Sequence, residues 1–256
     1  MPLTSSAITL ALGGGKAANL ARLARAGLPV PGGFVITTVA YRQFVAANGI
    51  DTTIQTVLAD LAPDDPIALE TASATIRDYV ASGIVPAEIA AAIVDSYHGL
   101  GSPAVAVRSS ATAEDLPDLS FAGQQDTLLN VQGEEALAHA VVHCWSSLWT
   151  ARAIGYRARN GLAQNDLALA VVVQKLVPSE ASGVLFTANP LTGKRHTMRL
   201  APGEIMSNKQ WTGDQLAAHL HRIWADTRVR PDTAFGRTHG SVPTPHLGGH
   251  QVRPDG

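Results

Sequence analysis

The residue of this sequence best suited to binding a phosphate group is Arg108. It follows a short apolar run, residues 105–107, whose β-branched composition predicts a buried strand that ends at this cation. The guanidinium group of arginine carries a fixed charge, and its planar fork matches pairs of phosphate oxygens. Small residues with many backbone N–H groups follow at 109–113, as a phosphate-cradling turn requires. A capped turn with a surface arginine is the alternative that chemistry alone leaves open.

A second cation, Lys16, follows three consecutive glycines at the predicted start of a helix over residues 17–26. Gly27 and Pro29 predict the end of that helix. Glycines before a helix let the backbone approach an anion, and the helix N-terminus adds partial positive charge. The spacing fails the GxxxxGK[ST] phosphate-binding pattern, because position 10 is leucine and position 17 is alanine. Taken alone, such a segment is more often a flexible turn than a binding site.

Three longer segments of the sequence are informative together. The first contains Lys16, the second contains Arg108, and the third follows both in the chain. They read GGGKAANLARLARAGLPVPGGFVIT, then VRSSATAEDLP continuing to SFAGQQDT, then VVVQKLVPSEASGVLFTANPLTG. In this order they resemble the nucleotide-binding half of the pyruvate, phosphate dikinase and phosphoenolpyruvate synthase superfamily, which includes the rifampicin phosphotransferases. With the residues between them, they span about residues 12–193. The resemblance implies an α/β fold of the ATP-grasp type, with a helical insertion in the first lobe and an incomplete second lobe.

The resemblance also implies a reaction and a set of site residues. Members of the superfamily use ATP to form a phosphohistidine, release AMP and phosphate, and pass the phosphoryl group to a small acceptor. By residue-level match, Lys16 and Arg108 are the expected catalytic residues and hold the phosphates of ATP. Gly123 and Thr127 are expected to supply the phosphate-side loop, where a glycine allows close backbone approach. Gln174 is expected to hydrogen-bond near the base.

Two acidic residues and a metal ion complete the implied site. Glu114 and Asp115 match the superfamily motif, and we interpret them first as loop-shaping or N-capping acids. Mg²⁺ accompanies ATP in intact members. The Gly-Leu-Gly-Glu-like loop and later acidic residues that hold it are not found in this sequence, so no metal ligand is assigned.

The elements that position these residues are predicted from hydrophobic periodicity and turn residues. Strands are expected at 34–38, 105–107, 128–131, 167–173 and 182–187, and the last two are expected to pair and so begin the second lobe. Helices are expected at 40–47, 54–61, 66–81 and 86–100, followed by one long helix over 134–159. The apolar stripe of the inserted helices is predicted to contain Ile67, Ile76, Tyr79, Val80, Ile89, Ile93 and Tyr97.

Bulk properties exclude several classes of protein. The chain has 256 residues, of which 46% are hydrophobic and 16% charged, as in a packed globular protein. A net charge of −2 does not favour nucleic acid or an anionic membrane as a partner. The single cysteine, Cys144, excludes an internal disulfide, and no apolar run is long enough to cross a bilayer. The N-terminus lacks the basic region of a signal peptide, so a cytoplasmic protein is expected.

Beyond about residue 195 the motifs of the superfamily are no longer recognisable. We therefore expect a nucleotide-binding domain at 1–195, with its second lobe beginning near 165, and a divergent, partly disordered tail at 196–256. Three hypotheses follow. We favour an inactive fragment of a phosphotransferase that still binds ATP. The others are one component of a split enzyme, with the phosphohistidine and acceptor domains on a separate chain, and a non-catalytic nucleotide-binding module.

Overall fold

The computed structural model describes residues 1–59, 61–112, 127–160, 167–179, 183–186 and 199–202, and the fold is given for this part of the chain. None of the helices in it combines the length and apolar composition needed to cross a membrane. In chain order the elements are α1 (Leu10–Arg25), β1 (Gly33–Ile36), α2 (Thr38–Ala47), α3 (Ile50–Leu58), α4 (Pro66–Ala81), α5 (Ala87–Gly99), β2 (Val105–Ala111), β3 (Thr127–Val131), α6 (Glu134–Ser146), a 3-10 turn (Ser147–Trp149), α7 (Ala151–Arg159), β4 (Leu169–Lys175), β5 (Gly183–Phe186) and β6 (Arg199–Pro202).

An antiparallel sheet with the order β1-β4-β2-β3 lies at the centre of this fold, and β5 pairs with β6 in a separate two-stranded sheet. β4 is paired on both sides, with β1 and with β2. Its residues from Leu169 to Val173 are almost completely buried. A continuous apolar run of this length is typical of a strand that is covered on both faces.

The two faces of the four-stranded sheet carry separate hydrophobic cores. On one face α1 packs through Ala17 and Ala21 against Val35, Ala170 and Val172. On the other face lies a larger core, to which every strand of the sheet and helices α2–α7 contribute. Because successive strand residues point to opposite faces, β2 divides its side chains between the two faces, and Val105 and Val107 enter the larger core. The α1 face receives the even-numbered residues of β2, and these include Arg108.

The start of α1 differs from the prediction. Helical structure begins earlier, at Leu10, where the Oγ1 of Thr9 accepts from the amide of Leu12 at 3.3 Å and caps a first short segment that the prediction missed. Gly14, with φ 71° and ψ 176°, is not helical and separates this segment from a second one. The second segment begins just after Gly14, close to the predicted start of the helix.

Arg108 also lies elsewhere in its strand than predicted. β2 extends from Val105 to Ala111, so Arg108 is in the middle of the strand, and Ser109 and Ser110 continue it. The two serines were assigned to a turn because serine is common in turns. Both are fully buried in the paired strand, and their backbone groups are used by the ladder with β4.

The predicted long helix over 134–159 is divided in two. α6 ends at Ser146, and Thr150 is extended, with φ −65° and ψ 147°, before α7 begins. Hydroxyl groups stabilise the break: the Oγ of Ser147 donates to the carbonyl of Cys144 at 2.7 Å, and the Oγ1 of Thr150 accepts from the amide of Ala153 at 3.3 Å. Such local bonds compete with helix continuation.

Two members of the predicted apolar stripe are wrong, although α4 and α5 match their predicted spans closely. Ile67 is 78% exposed and Tyr79 is 44% exposed. The buried face of α4 instead passes through Leu69, Ile76 and Val80. Because 3.6 residues complete one turn, Ile67 falls on the opposite side of the helix from this face, and Tyr79 falls beside it.

The predicted pairing of β4 with β5 is also wrong. β4 fills the gap between β1 and β2, while β5 pairs with β6, a strand that the sequence had not revealed. Both edges of β4 are therefore used within the four-stranded sheet. Residues 203–256 lie outside the described residues, so the predicted disorder of this part of the tail stays a prediction.

Candidate functional site

The candidate site is built on the α1 face of the four-stranded sheet. Val105 and Val107 of β2 point into the larger core on the opposite face. Ala106, Arg108 and Ser110 alternate with them and therefore point toward α1. The neighbouring Val172 of β4 belongs to the α1 core and pairs directly with Arg108. Strand alternation thus places a cation beside the apolar core under α1.

Thr127 lies directly across from Arg108 on β3, the strand at the edge of the sheet. Directly opposed residues of an antiparallel pair share a face, with Cβ atoms about 4.5–5.5 Å apart. Thr127 is exposed and Arg108 is half-buried. The hydroxyl of Thr127 and the guanidinium group of Arg108 therefore line the same open margin of the sheet.

Gln174 lies on the same face, one diagonal step from Arg108. In the register of β2 with β4, Gln174 pairs with Ala106, while Arg108 pairs with Val172. Gln174 is only 7% exposed, and its Nε2 donates to the carbonyl of Pro31 at 3.0 Å. This bond uses the donor end of the amide and holds its orientation. The Oε1 of Gln174 is the end suited to accepting a hydrogen bond from a ligand.

The backbone around Lys16 approaches this face at the break in α1. Beyond Gly14 the helix resumes, so Gly15, Lys16 and Ala17 form the first turn of its second segment. The amide of Ala17 donates to the Oγ of Ser110 at 3.2 Å. Ser110 is two residues beyond Arg108 on the same face of β2. One hydrogen bond therefore ties the residue after Lys16 to the strand that carries Arg108.

The polar atoms of Arg108 suit an anionic ligand. Its Nε is buried and has no hydrogen-bond partner within the described part of the chain. A buried donor without an acceptor costs about 1–3 kcal/mol, which a bound anion would offset. The Nε of Arg77 on α4 has the same property, but α4 belongs to the helical layer over the opposite face. The position of Arg108 beside Thr127 and the first turn after Gly14 is what distinguishes it.

Other predicted site residues lie outside the described residues, namely Gly123, Glu114 and Asp115. The same holds for the histidines of the tail. Across the ranges given above, no three His, Cys, Asp or Glu residues form a group that could hold a metal ion. The described face therefore offers cations, a hydroxyl group and an amide, which suit a phosphorylated ligand better than a metal ion alone.

Sequence reasoning missed two residues of this site. Ser110 was assigned to a turn, and Thr38 was assigned to the end of a predicted strand. In the structure Thr38 is fully buried, and its Oγ1 donates to the carbonyl of Ala11 at 2.8 Å. The available signal was the glycine run inside a helix-forming segment, because a break there leaves backbone groups that need outside partners.

A second polar cluster is buried in the larger core. The Nε1 of Trp149 donates to the hydroxyl of Tyr41 at 3.0 Å, and the guanidinium group of Arg157 lies 5.2 Å from the centre of the Trp149 ring. Burial raises the pKa of Tyr41 to about 12 and lowers the pKa of Arg157 to about 10. This cluster is on the face opposite Arg108, so we assign it to packing.

The sequence matches the family described as "Pyruvate phosphate dikinase, AMP/ATP-binding domain" over residues 10–210. This match extends past residue 195, where the recognisable motifs end, and it includes β6. The prediction that the resemblance stops near residue 195 is therefore wrong.

Curated relatives share the same region. A probable phosphoenolpyruvate synthase of Methanothermobacter thermautotrophicus is 37% identical over 260 residues, covering 96% of this chain and 38% of the relative. The phosphoenolpyruvate synthase of Aeropyrum pernix is 48% identical over 192 residues, covering 72% of this chain and 23% of the relative. The rifampicin phosphotransferase of Streptomyces sviceus is 49% identical over 189 residues, covering 73% of this chain and 22% of the relative. The chain thus spans well under half the length of each.

Proposed function

Because this chain belongs to the pyruvate phosphate dikinase AMP/ATP-binding domain family, we propose that it binds ATP on the α1 face of its four-stranded sheet. The observation that carries this proposal is the placement of Arg108. Its Nε is buried without a partner in the described ranges, beside Thr127 and near the first helical turn after Gly14. A helix N-terminus and a guanidinium group both favour negative charge.

Each site residue has a distinct proposed role. Arg108 binds phosphate oxygens through its planar fork, and Lys16 adds a second charge from the first turn after Gly14. Thr127 donates its hydroxyl group to a phosphate oxygen, and Gly123 lets the loop backbone approach. Gln174, whose amide is held by Pro31, accepts a hydrogen bond at the base end. Adenine carries an exocyclic amino group that suits this acceptor.

The architecture we propose is that of an ATP-grasp protein. The four-stranded sheet and α1 form the first lobe, α2–α5 form an insertion between β1 and β2, and β5 with β6 begin the second lobe. In such an arrangement the nucleotide lies between the two lobes. The α1 face of the sheet is the side of the first lobe on which we place it.

A magnesium ion would neutralise phosphate charge when bound with ATP. The residues that the structure describes do not provide a cluster of acidic ligands for it. We therefore assign no step of this proposal to the metal, and the roles of Lys16 and Arg108 depend on their own charges.

The relatives named above are a phosphoenolpyruvate synthase, a probable one and a rifampicin phosphotransferase, all longer than this chain. We propose that this chain supplies the ATP-binding step of such a phosphotransferase. In the superfamily that the sequence resembles, phosphohistidine formation needs a histidine acceptor and a second set of nucleotide contacts, and we assign neither to the described residues of this chain.

Calorimetric titration of ATP tests this proposal through Lys16. Lys16→Ala removes a charge from the phosphate end, so we expect the dissociation constant to rise about tenfold. Arg22→Ala is the control, since it removes an equally positive, exposed side chain from the last turn of the same helix. Equal affinities for the wild type and Lys16→Ala would contradict the assigned phosphate site.

A further inference from the structure

The break in α1 leaves backbone groups that other elements satisfy. In an uninterrupted helix the carbonyl of Ala11 would accept from the amide of Gly15. At Gly14 the chain leaves helical geometry, and the buried hydroxyl of Thr38 donates to the carbonyl of Ala11 at 2.8 Å. A residue at the start of α2 thus takes the place of a helical donor on the N-terminal side of the break.

On the C-terminal side of the break, Ser110 supplies the hydrogen-bond acceptor for a free helical amide. Gly14 occupies the N-cap position of the resumed helix, and a serine or aspartate there would accept from the third amide of the helix through its own side chain. Glycine has no such side chain. The Oγ of Ser110 accepts from the amide of Ala17 at 3.2 Å and so provides the cap from a neighbouring strand.

The contact between Gly14 and Ser110 is too close for any side chain at position 14. A Cβ at Gly14 would lie against both the carbonyl group and the Oγ of Ser110, and the φ of 71° is in the left-handed region. The helix break therefore rests directly on β2. Its position relative to β2 is fixed by this contact and by the hydrogen bond from Ala17.

We propose that Ser110 is a positioning residue for the phosphate site. It does not contact ATP in this proposal, which rests on the function proposed above. It fixes the first turn of the resumed helix, and therefore Lys16, relative to Arg108, which lies two residues earlier on the same face of β2. Thr38 has the same role on the other side of the break. Positioning of two charges before the ligand arrives lowers the cost of binding.

The test is a double-mutant cycle on ATP affinity, measured by calorimetry with the full chain. Ser110→Ala should raise the dissociation constant about three- to tenfold, the effect of one hydrogen bond. If Ser110 acts through Lys16, adding Ser110→Ala to Lys16→Ala should change the affinity less than twofold. A residue that only stabilises the fold would weaken binding by the same factor in both backgrounds.

Ser109→Ala is the matched control, because Ser109 is equally buried in the same strand but points to the opposite face. It should leave ATP affinity within twofold of the wild type. Should Ser110→Ala not fold, Ser110→Cys keeps the volume with a weaker acceptor and should show the same coupling. The positioning role would be overturned if Arg108→Ala weakened ATP binding but Ser110→Ala did not. It would also be overturned if the losses of affinity from Ser110→Ala and Lys16→Ala were additive. No ATP binding by the wild type would overturn both proposals.

Discussion

Arg108 on β2 and Thr127 on β3 are directly opposed across the antiparallel pair, on the face of the sheet that α1 covers. The pair joins a half-buried cation to an exposed hydroxyl group. A ligand bound to Arg108 at this edge of the sheet would therefore lie beside Thr127. This relationship makes the role of the hydroxyl testable apart from that of the charge.

Thr127→Val should weaken ATP binding about three- to tenfold, because it removes a hydroxyl donor while keeping the shape and strand preference of the side chain. Titration calorimetry measures the change. Thr127→Ser keeps the hydroxyl and should stay within about twofold of the wild type. If both variants bind ATP equally well, Thr127 is not a ligand.

Gly14→Ala should destabilise the protein more than Gly27→Ala. Both glycines have positive φ, of 71° and 79°, and Gly14 also has ψ 176°, a combination almost restricted to glycine that makes alanine there cost about 1–3 kcal/mol in backbone strain alone. Only at Gly14 does the added methyl group meet Ser110, whereas Gly27 has open space around it. Overpacking of this kind adds about 1–3 kcal/mol.

Urea denaturation of the two glycine variants compares their free energies of unfolding. A larger loss at Gly14 and a reduced ATP affinity in that variant alone are expected. Equal losses would mean that the contact with Ser110 is not a constraint on the helix break.

Tyr41→Phe should lower the free energy of unfolding by about 1–3 kcal/mol, because it leaves the buried Nε1 of Trp149 without its acceptor. Tyr79→Phe is the control, since Tyr79 is 44% exposed and should change stability by less than about 0.5 kcal/mol. Thermal and urea unfolding give the values. ATP affinity should not change in either variant, because Tyr41 lies on the face opposite Arg108.

Much of the fold was predictable because its signals are local. The apolar run that became β4 and the periodic, capped segment Pro66–Ala81 both specify their own element. The break at Thr150 and the extension of β2 through Ser110 were not predictable in this way. The extension of β2 is decided by pairing with β4, which is distant in the chain. The break at Thr150 is decided by local hydroxyl bonds that compete with helix continuation, and hydrophobic periodicity does not show which of the two prevails.

The same distinction applies to the site. Arg108 and Lys16 could be singled out from residue type and from the motifs around them. Ser110 and Thr38 could not, because their importance arises only when β2 and the start of α2 pack against the break at Gly14. Ser110 is 93 residues from Ala17 in the sequence, and Thr38 is 27 residues from Ala11. Neither spacing nor composition shows that these hydroxyl groups will bond to the backbone of α1.

The most direct test of the account is ATP affinity in variants of Arg108. Arg108→Ala should raise the dissociation constant about ten- to a hundredfold, since a hydrogen bond to a charged group is worth about 1.5–3 kcal/mol. Arg108→Lys should recover only part of the loss, because lysine keeps the charge without the planar fork. Arg77→Ala, which removes the other arginine with a buried, unpartnered Nε among the described residues, should leave affinity unchanged. Binding that is weakened equally by Arg77→Ala and Arg108→Ala, or by neither, would contradict a phosphate site on the α1 face.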